Sequence, residues 1–376
     1  MLYELDKNDY AKVRPLFAEL EAYNFVLSSV LDGISPGRVL VTDPVRPRAA
    51  LAYTPGRTHL AGDSSDNDFV AAVNAYLVEK FYNDENTVGG DALILYFHPE
   101  SWLDQIPALF APRDPLIIPD YHYVCTELKY TNWREQLPAG FAARRIDAEL
   151  WQTPGLDIPE HIGEGITSNW GTREHYLQYG FGFGVIHENR ITHWSLADCV
   201  TKDGRCDIGI WSIPNYRRQG LAAITVAAAT EHALANGFIK VGWHCAQNNV
   251  GSYKTAERVG FVREREMTGY YCMFSSVQQV AERGWYHLRN GRYQEAADAY
   301  EQFFAFGGDY PHYLYQEMAR AQAAIGNHPK ALHYLNAAIN HGLTYTDYTN
   351  SNCPEFESLH DLPEWEAILT RMQERS

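Results

Sequence analysis

A chain of 376 residues, 45% of them apolar, can bury several cores, which argues against one compact domain and for two or three. Its 47 acidic against 31 basic residues give a formal charge of −16, which repels nucleic acid and anionic membrane and attracts cations. Any phosphate-bearing ligand must therefore be held by a local concentration of donors. The six cysteines (Cys125, Cys199, Cys206, Cys245, Cys272 and Cys353) form no CxxC pair, which points to reduced thiols rather than a disulfide framework or a zinc site. The start, MLYELDKNDY, lacks a leader pattern, and no apolar run approaches the ~18 residues that span a bilayer. The expectation is a cytoplasmic protein with no metal, nucleic-acid or membrane partner.

Residues 1–139 read as an α/β lobe without a chemical motif. Apolar spacing predicts helices in AKVRPLFAELEAYNFVLSSVL and NDFVAAVNAYLVEKFYN, and strands in GRVLVTD and GDALILYF. Leu137-Pro138-Ala139-Gly140 punctuates the chain and sets a boundary near residue 139. Over 140–275 the predicted order is strand FAARRI, helices EHIGEGITSNW and TREHYLQYG, strands GFGVIHE, THWSLADCV and CDIGIWSI, helix GLAAITVAAATEHALANG, strand FIKVGWHC, helix SYKTAERVG and strand YYCMF. Residues 276–376 turn helical. There HLRNGRYQEAADAY and AAIGNHPKALHYL align Gly291 with Gly326 and Ala296 with Ala331. The 35-residue offset is close to the period of tetratricopeptide repeats, and the final helix, with Trp365 and Leu369, reads as their cap. The fold class expected is α/β with a mixed central sheet, followed by an all-α repeat domain.

The stretch IPNYRRQGLA, residues 213–222, lies between a strand and a helix. Backbone N–H groups at a helix N-terminus face outward there, and the helix dipole favours an anion. Gly220 admits a ligand close to the backbone, Ala222 does so one step on, and Arg217 and Arg218 add charge. The loop suits a diphosphate, although a solvated basic turn would look the same.

Downstream context separates the two. The pattern [Q/R]-x-x-G-x-[G/A], here Arg217, Gly220 and Ala222, is followed by Asn249 with Ser252 and then by Gly260-Phe261. In this order and spacing the chain resembles the GNAT superfamily of acyl-CoA N-acyltransferases over residues 140–275. The resemblance implies a GNAT fold, acetyl-CoA as cosubstrate and no metal. Arg217, Arg218, Gln219, Gly220, Leu221 and Ala222 would cradle the pyrophosphate. Ile210, Trp211, Ser212 and Ile213 would pair with the pantetheine amides, and Asn249 and Ser252 would lie on the pantetheine arm. NWGTREHYLQYGFGFGVIHENRITHWS also resembles a subgroup that includes acetyltransferases giving self-resistance to zwittermicin-type amino antibiotics. Members of such subgroups carry a degenerate first GNAT-like lobe, which would describe the N-terminal region.

Acyl transfer to an amine needs a base and an acid for the departing thiolate. The tyrosine that many members place seven residues after the asparagine is absent, since Ala256 stands there. Tyr253 is the replacement candidate, with Tyr270 and Tyr271 behind it; each is equally a packing residue. Asp207, opening a strand, and Asp198, ending the one before, are the candidate base and amine-binding carboxylates, with turn formation as the competing role. His244, and His193, Trp194, Ser195 and Trp170, are candidate cleft residues or simply core. The function expected is acetyl transfer to the primary amine of a small cationic molecule or peptide, with a homodimer or a protein partner on the repeats. The alternative is a CoA-binding scaffold acting through those repeats.

Overall fold

The computed structural model describes residues 1–54, 56–82, 92–351 and 353–374. The quoted ends at Asn83, Gly90 and Asp91 lie outside the described residues. Residue contacts divide the chain into two compact units, Met1–Leu77 with Leu93–Tyr271, and Val78–Ala92 with Cys272–Ser376.

In the first unit, twelve strands among the described residues form one sheet. They are β1 (Tyr3–Glu4), β2 (Arg38–Val41), β3 (Ala49–Thr54), β4 (Arg57–Gly62), β5 (Ala92–His98), β6 (Leu116–Cys125), β7 (Phe141–Arg145), β8 (Gly182–His187), β9 (Arg190–Val200), β10 (Arg205–Ser212), β11 (Lys240–Ala246) and β12 (Val262–Met273). The order is β1-β2-β3-β4-β5-β12-β6-β11-β10-β9-β8-β7. Raising each strand number from β1 to β6 by six turns the order read from one end into the order read from the other. Within each half the first four strands are antiparallel neighbours, and the fourth and fifth run parallel. The sixth strand is exchanged: β6 joins β11 and β12 lies beside β5. The sheet thus continues across the boundary expected near residue 139, and a strand from the motif-free region completes the motif-bearing half.

Helices follow the same duplication. Asn67–Lys80 links β4 to β5, and Leu221–Ala235 links β10 to β11. The latter buries Leu221, Ala223, Ile224, Val226, Ala227, Ala228, Ala229 and Ala233; its alanines let strands come close on several sides. The run predicted as one helix over 11–31 splits into Arg14–Glu21 and Phe25–Leu31. Asn24 leaves helical geometry at φ −119°, ψ 83°, and both its backbone N–H, at 2.9 Å, and its side-chain amide, at 3.1 Å, donate to the Leu20 carbonyl. β12 begins at Val262, eight residues before the predicted YYCMF strand. All six cysteines are buried and free.

In the second unit, helices Ser276–Arg289 and Tyr293–Ala305 precede His312–Ala324 and His328–Asn340. Gly291 and Gly326 both take positive φ, 69° and 77°, and Ala296 and Ala331 are fully buried, so the 35-residue offset recurs in backbone and burial. Pro363–Gln373 seats Trp365, Ile368 and Met372 in the same core, with Leu369 packed beside them. No helix among the described residues is long and apolar enough to cross a membrane.

Candidate active site

β10 and β11 pair in register only at Arg205↔Lys240, Cys206↔Val241 and Asp207↔Gly242. An irregularity between Asp207 and Ile208 then bends β10, so Ile208–Ser212 leave β11 and expose their inner edge. A splayed parallel pair leaves backbone groups free for an extended ligand such as a pantetheine arm. Ile210, Trp211 and Ser212 lie on this free stretch, where Trp211 is 47% exposed and stacks on Trp194 with centroids 6.5 Å apart.

The loop after β10 closes on itself and opens outward. Ile213 donates its N–H to the Thr192 carbonyl at 2.9 Å, and Arg217 Nε donates to the Ser212 carbonyl at 3.2 Å. Arg218 and Gly220 take positive φ, 62° and 78°. Gly220 caps the Leu221–Ala235 helix without a side-chain hydrogen bond, and no acid stands in the first turn. Arg217, Arg218 and Gln219 are exposed. The result is a bare, positively flanked helix N-terminus, an anion cradle. Arg258, which sequence reasoning missed, adds a third cation beside Arg217 and Arg218: a Cβ built on Gly220 would lie 3.0 Å from its Nη1. It is seated over the Tyr130 ring at 5.0 Å.

Asn249 and Ser252 lie on the next helix, Val250–Val259. Asn249 caps that helix by accepting from the Ser252 N–H, and Ser252 Oγ accepts from the Trp243 indole at 3.1 Å. Tyr253 meets Tyr121 edge-on at 6.1 Å in an open cavity of about 530 Å³ shared with Tyr123, Glu257 and Arg263.

Strand alternation puts the carboxylates on the other face. Trp243 faces Ser252, so its neighbour His244 points away, toward Asp207 at 3.7 Å. Tyr121 faces Tyr253, so Asp120 and His122 point away too. The structure therefore brings Asp207 and Asp198 together and leaves Tyr253 on the opposite side of the sheet. Tyr270 and Tyr271 pair with Ile117 and Leu116, and Tyr270 is buried beside Phe97.

Both aspartates are coupled to Arg57 of β4, whose guanidinium lies 3.7 Å from Asp207 Oδ2. Burial pushes Asp207 up to about 7, opposed by Arg57 and reinforced by Asp198. Burial also raises Asp198 to about 6, again opposed by Arg57. Asn169 donates to Asp198 Oδ1 at 2.9 Å, and glycine at 209 makes room, since an added Cβ would come 2.9 Å from both Asp198 oxygens. Asp120 accepts from the Tyr96 hydroxyl at 2.7 Å. His193 contacts the Thr192 hydroxyl at 3.0 Å and is held down to about 4 by burial. Ser195 is fully buried, and Trp170 donates to the Ala197 carbonyl at 2.9 Å. Arg57, Tyr96, Asp120 and His122 come from the region that carries no local motif; the exchanged β6 carries Asp120 and His122, while Arg57 and Tyr96 come from β4 and β5.

A model of the GNAT acetyltransferase family matches residues 14–270. No curated protein matches the chain. Among solved structures, a GCN5-related N-acetyltransferase-like protein from Streptococcus suis superposes with TM-score 0.55 at 20% identity, covering 70% of this chain and 98% of that one. A tandem GNAT protein from the clavulanic acid biosynthesis pathway gives 0.44 at 10% identity, covering 73% and 98%. An acetyltransferase of the GNAT family from Colwellia psychrerythraea gives 0.41 at 12%, covering 72% and 99%.

Proposed function

The chain belongs to the GNAT acetyltransferase family and is an N-acetyltransferase, and we propose that it moves the acetyl group of acetyl-CoA to a primary amine of a small cationic acceptor, antibiotic-like or polyamine-like, or of a peptide. The observation that carries the cofactor side is the loop 213–222, with two positive-φ residues leading into an uncapped helix N-terminus. Arg217, Arg218, Gln219, Gly220, Leu221 and Ala222 hold the diphosphate, and Ile210 to Ile213 pair with the pantetheine. Asn249 and Ser252 shape the arm through the helix they start.

The acceptor side rests on charge. Asp198, Asp207 and Asp120 all act on the Arg57 guanidinium, and Arg205 is the other cation felt by Asp207; the acids outnumber the cations, which favours an ammonium over a neutral or anionic acceptor. Asp207 or Asp198 then takes the proton that the amine must lose before it attacks the thioester carbon. With Tyr253 across the sheet and His193 neutral under the loop, the departing thiolate takes the surplus proton of the attacking nitrogen as the tetrahedral intermediate collapses. The resemblance of the 169–195 stretch to zwittermicin-type resistance enzymes supports an amino-antibiotic acceptor. We read residues 1–139 as a degenerate GNAT lobe, 140–275 as the acetyltransferase domain, and 276–376 as tetratricopeptide-like repeats that form a dimer or partner surface.

The test is thiol release from acetyl-CoA across amino antibiotics, polyamines and peptide N-termini, after a thermal-shift check for CoA binding. Release with a cationic amine class is expected. A preference for neutral or carboxylate-bearing acceptors would overturn the charge argument.

A further inference from the structure

Eight side-chain nitrogen and oxygen atoms of His59, Asp120, His122, Asp207 and His244 are buried without a hydrogen-bond partner among the described residues. The Tyr23 backbone comes near enough to His244 to favour its protonated form, but not in the geometry of a full hydrogen bond to either ring nitrogen. An orphaned buried polar atom is costly, and native folds rarely gather so many in one place without something to satisfy them. Water would satisfy some of them. Three features select a metal.

The first is the donor set. His122 and His244 are cross-strand partners whose rings stack at 4.6 Å. Asp207 is in register with Gly242, where an added Cβ would collide with the carboxylate. One ligand atom from each of His122, Asp207 and His244 lies within 4.8 Å of the others, and their side chains are 0%, 2% and 3% exposed. The second is the outer contact of His122, whose Nδ1 stands 3.4 Å from Glu264 Oε2, itself held by Lys240 at 2.8 Å. A carboxylate behind one ring nitrogen is the arrangement that leaves the other nitrogen free for a metal. The third is charge: Asp120, Asp198 and Asp207 all act on Arg57, and Arg205 is the other cation felt by Asp207, so the carboxylates outnumber the cations and a further positive charge is favoured there.

We propose that His122, His244 and Asp207 form a binding site for one divalent transition-metal ion of the zinc class. Zinc takes imidazole and carboxylate ligands at about 2.0–2.2 Å, so the donors must draw together from their present spacing by side-chain rotation, with water as fourth ligand. Arg57 retains Asp120 and Asp198 as partners when the metal takes Asp207. On the acetyltransferase reading above, the metal occupies a carboxylate that would receive the acceptor's ammonium, so it inhibits transfer.

The experiment strips the full chain with a chelator, then titrates it with Co(II), read by visible absorption, and with Zn(II), read by calorimetry. One equivalent per chain is expected, weakened at least ~10-fold by His244→Ala and by the near-isosteric Asp207→Asn. His161→Ala, which changes an exposed histidine beside Glu164, leaves binding unchanged. Acetyl-CoA binding by each variant establishes that it has folded. Sub-stoichiometric binding, or binding indifferent to both site variants, overturns the metal site. Stoichiometric binding to a chain that acetylates no cationic amine leaves the site standing and removes the acceptor reading instead.

Discussion

Gly220 takes a φ of 78°, where a β-branched residue is a strained outlier, and in the proposed cofactor site its bare Cα is where the diphosphate would meet the helix. Gly220→Val is expected to weaken acetyl-CoA binding by more than ~10-fold with little change in the far-UV spectrum; unchanged affinity in calorimetry would remove the loop from the cofactor site. Asp207 answers a different question. Asp207→Asn keeps its volume but neither carries charge nor accepts a proton, so transfer should slow by ~10²-fold or more while acetyl-CoA affinity stays within about twofold. An equal loss of both would place Asp207 on the cofactor side. Gly220, Arg217 and Asn249 are legible in the sequence because loop and helix start are contiguous, so their spacing is their geometry. Arg57, Asp120 and His122 are not legible, because their nearness to Asp207 depends on strand pairing across more than eighty residues, which no local pattern encodes. The sequence does flag Asp198 and Asp207 as strand-end carboxylates, but it offers no sign that strand alternation sends Tyr253 to the other face.

At the scale of elements, the helical unit carries its own titrating group. Glu317 on His312–Ala324 accepts from the Tyr300 hydroxyl of Tyr293–Ala305, and burial pushes it up to about 7, with Tyr300 and Arg320 opposing, Glu282 adding to the rise, and Arg289 opposing weakly. A carboxyl whose folded value exceeds its ordinary 4.5 binds its proton more tightly when folded. Its stabilisation is therefore complete below about 4.5 and is lost as pH rises through about 7. The melting temperature is expected to fall by about 5 °C between pH 5 and pH 8, and Glu317→Gln, which still accepts from Tyr300, should flatten that slope. An unchanged slope in the variant would assign the dependence to another group. The 35-residue offset that exposes these helices is visible in the sequence because glycine and alanine mark helix end and close packing at one period. The break at Asn24 is hidden within a continuous apolar pattern, because the departure from helical angles is confined to that one residue.

Over the whole sheet, the two halves share strand order but not loop chemistry. After β4, the position that corresponds to the anion cradle reads Gly62-Asp63-Ser64-Ser65-Asp66. Asp63 accepts from the Ser65 N–H at 2.9 Å, and Asp66 caps the following helix by accepting from the Phe69 N–H at 2.9 Å. Asp68 stands in its first turn. Carboxylates therefore already occupy the donors that Gly220 leaves open in the second half, and their charge repels a diphosphate. The first half instead contributes β6, with Asp120 and His122, and Arg57 from β4 to the acceptor side of the second. On the proposed reading, two sheet halves of the same strand order share a single cofactor site. Calorimetry should give one acetyl-CoA per chain, abolished by Gly220→Val and untouched by Asp66→Ser, which keeps a capping oxygen but removes charge. A stoichiometry of two, or a second event lost in Asp66→Ser, would mean that the first half still binds cofactor by another route.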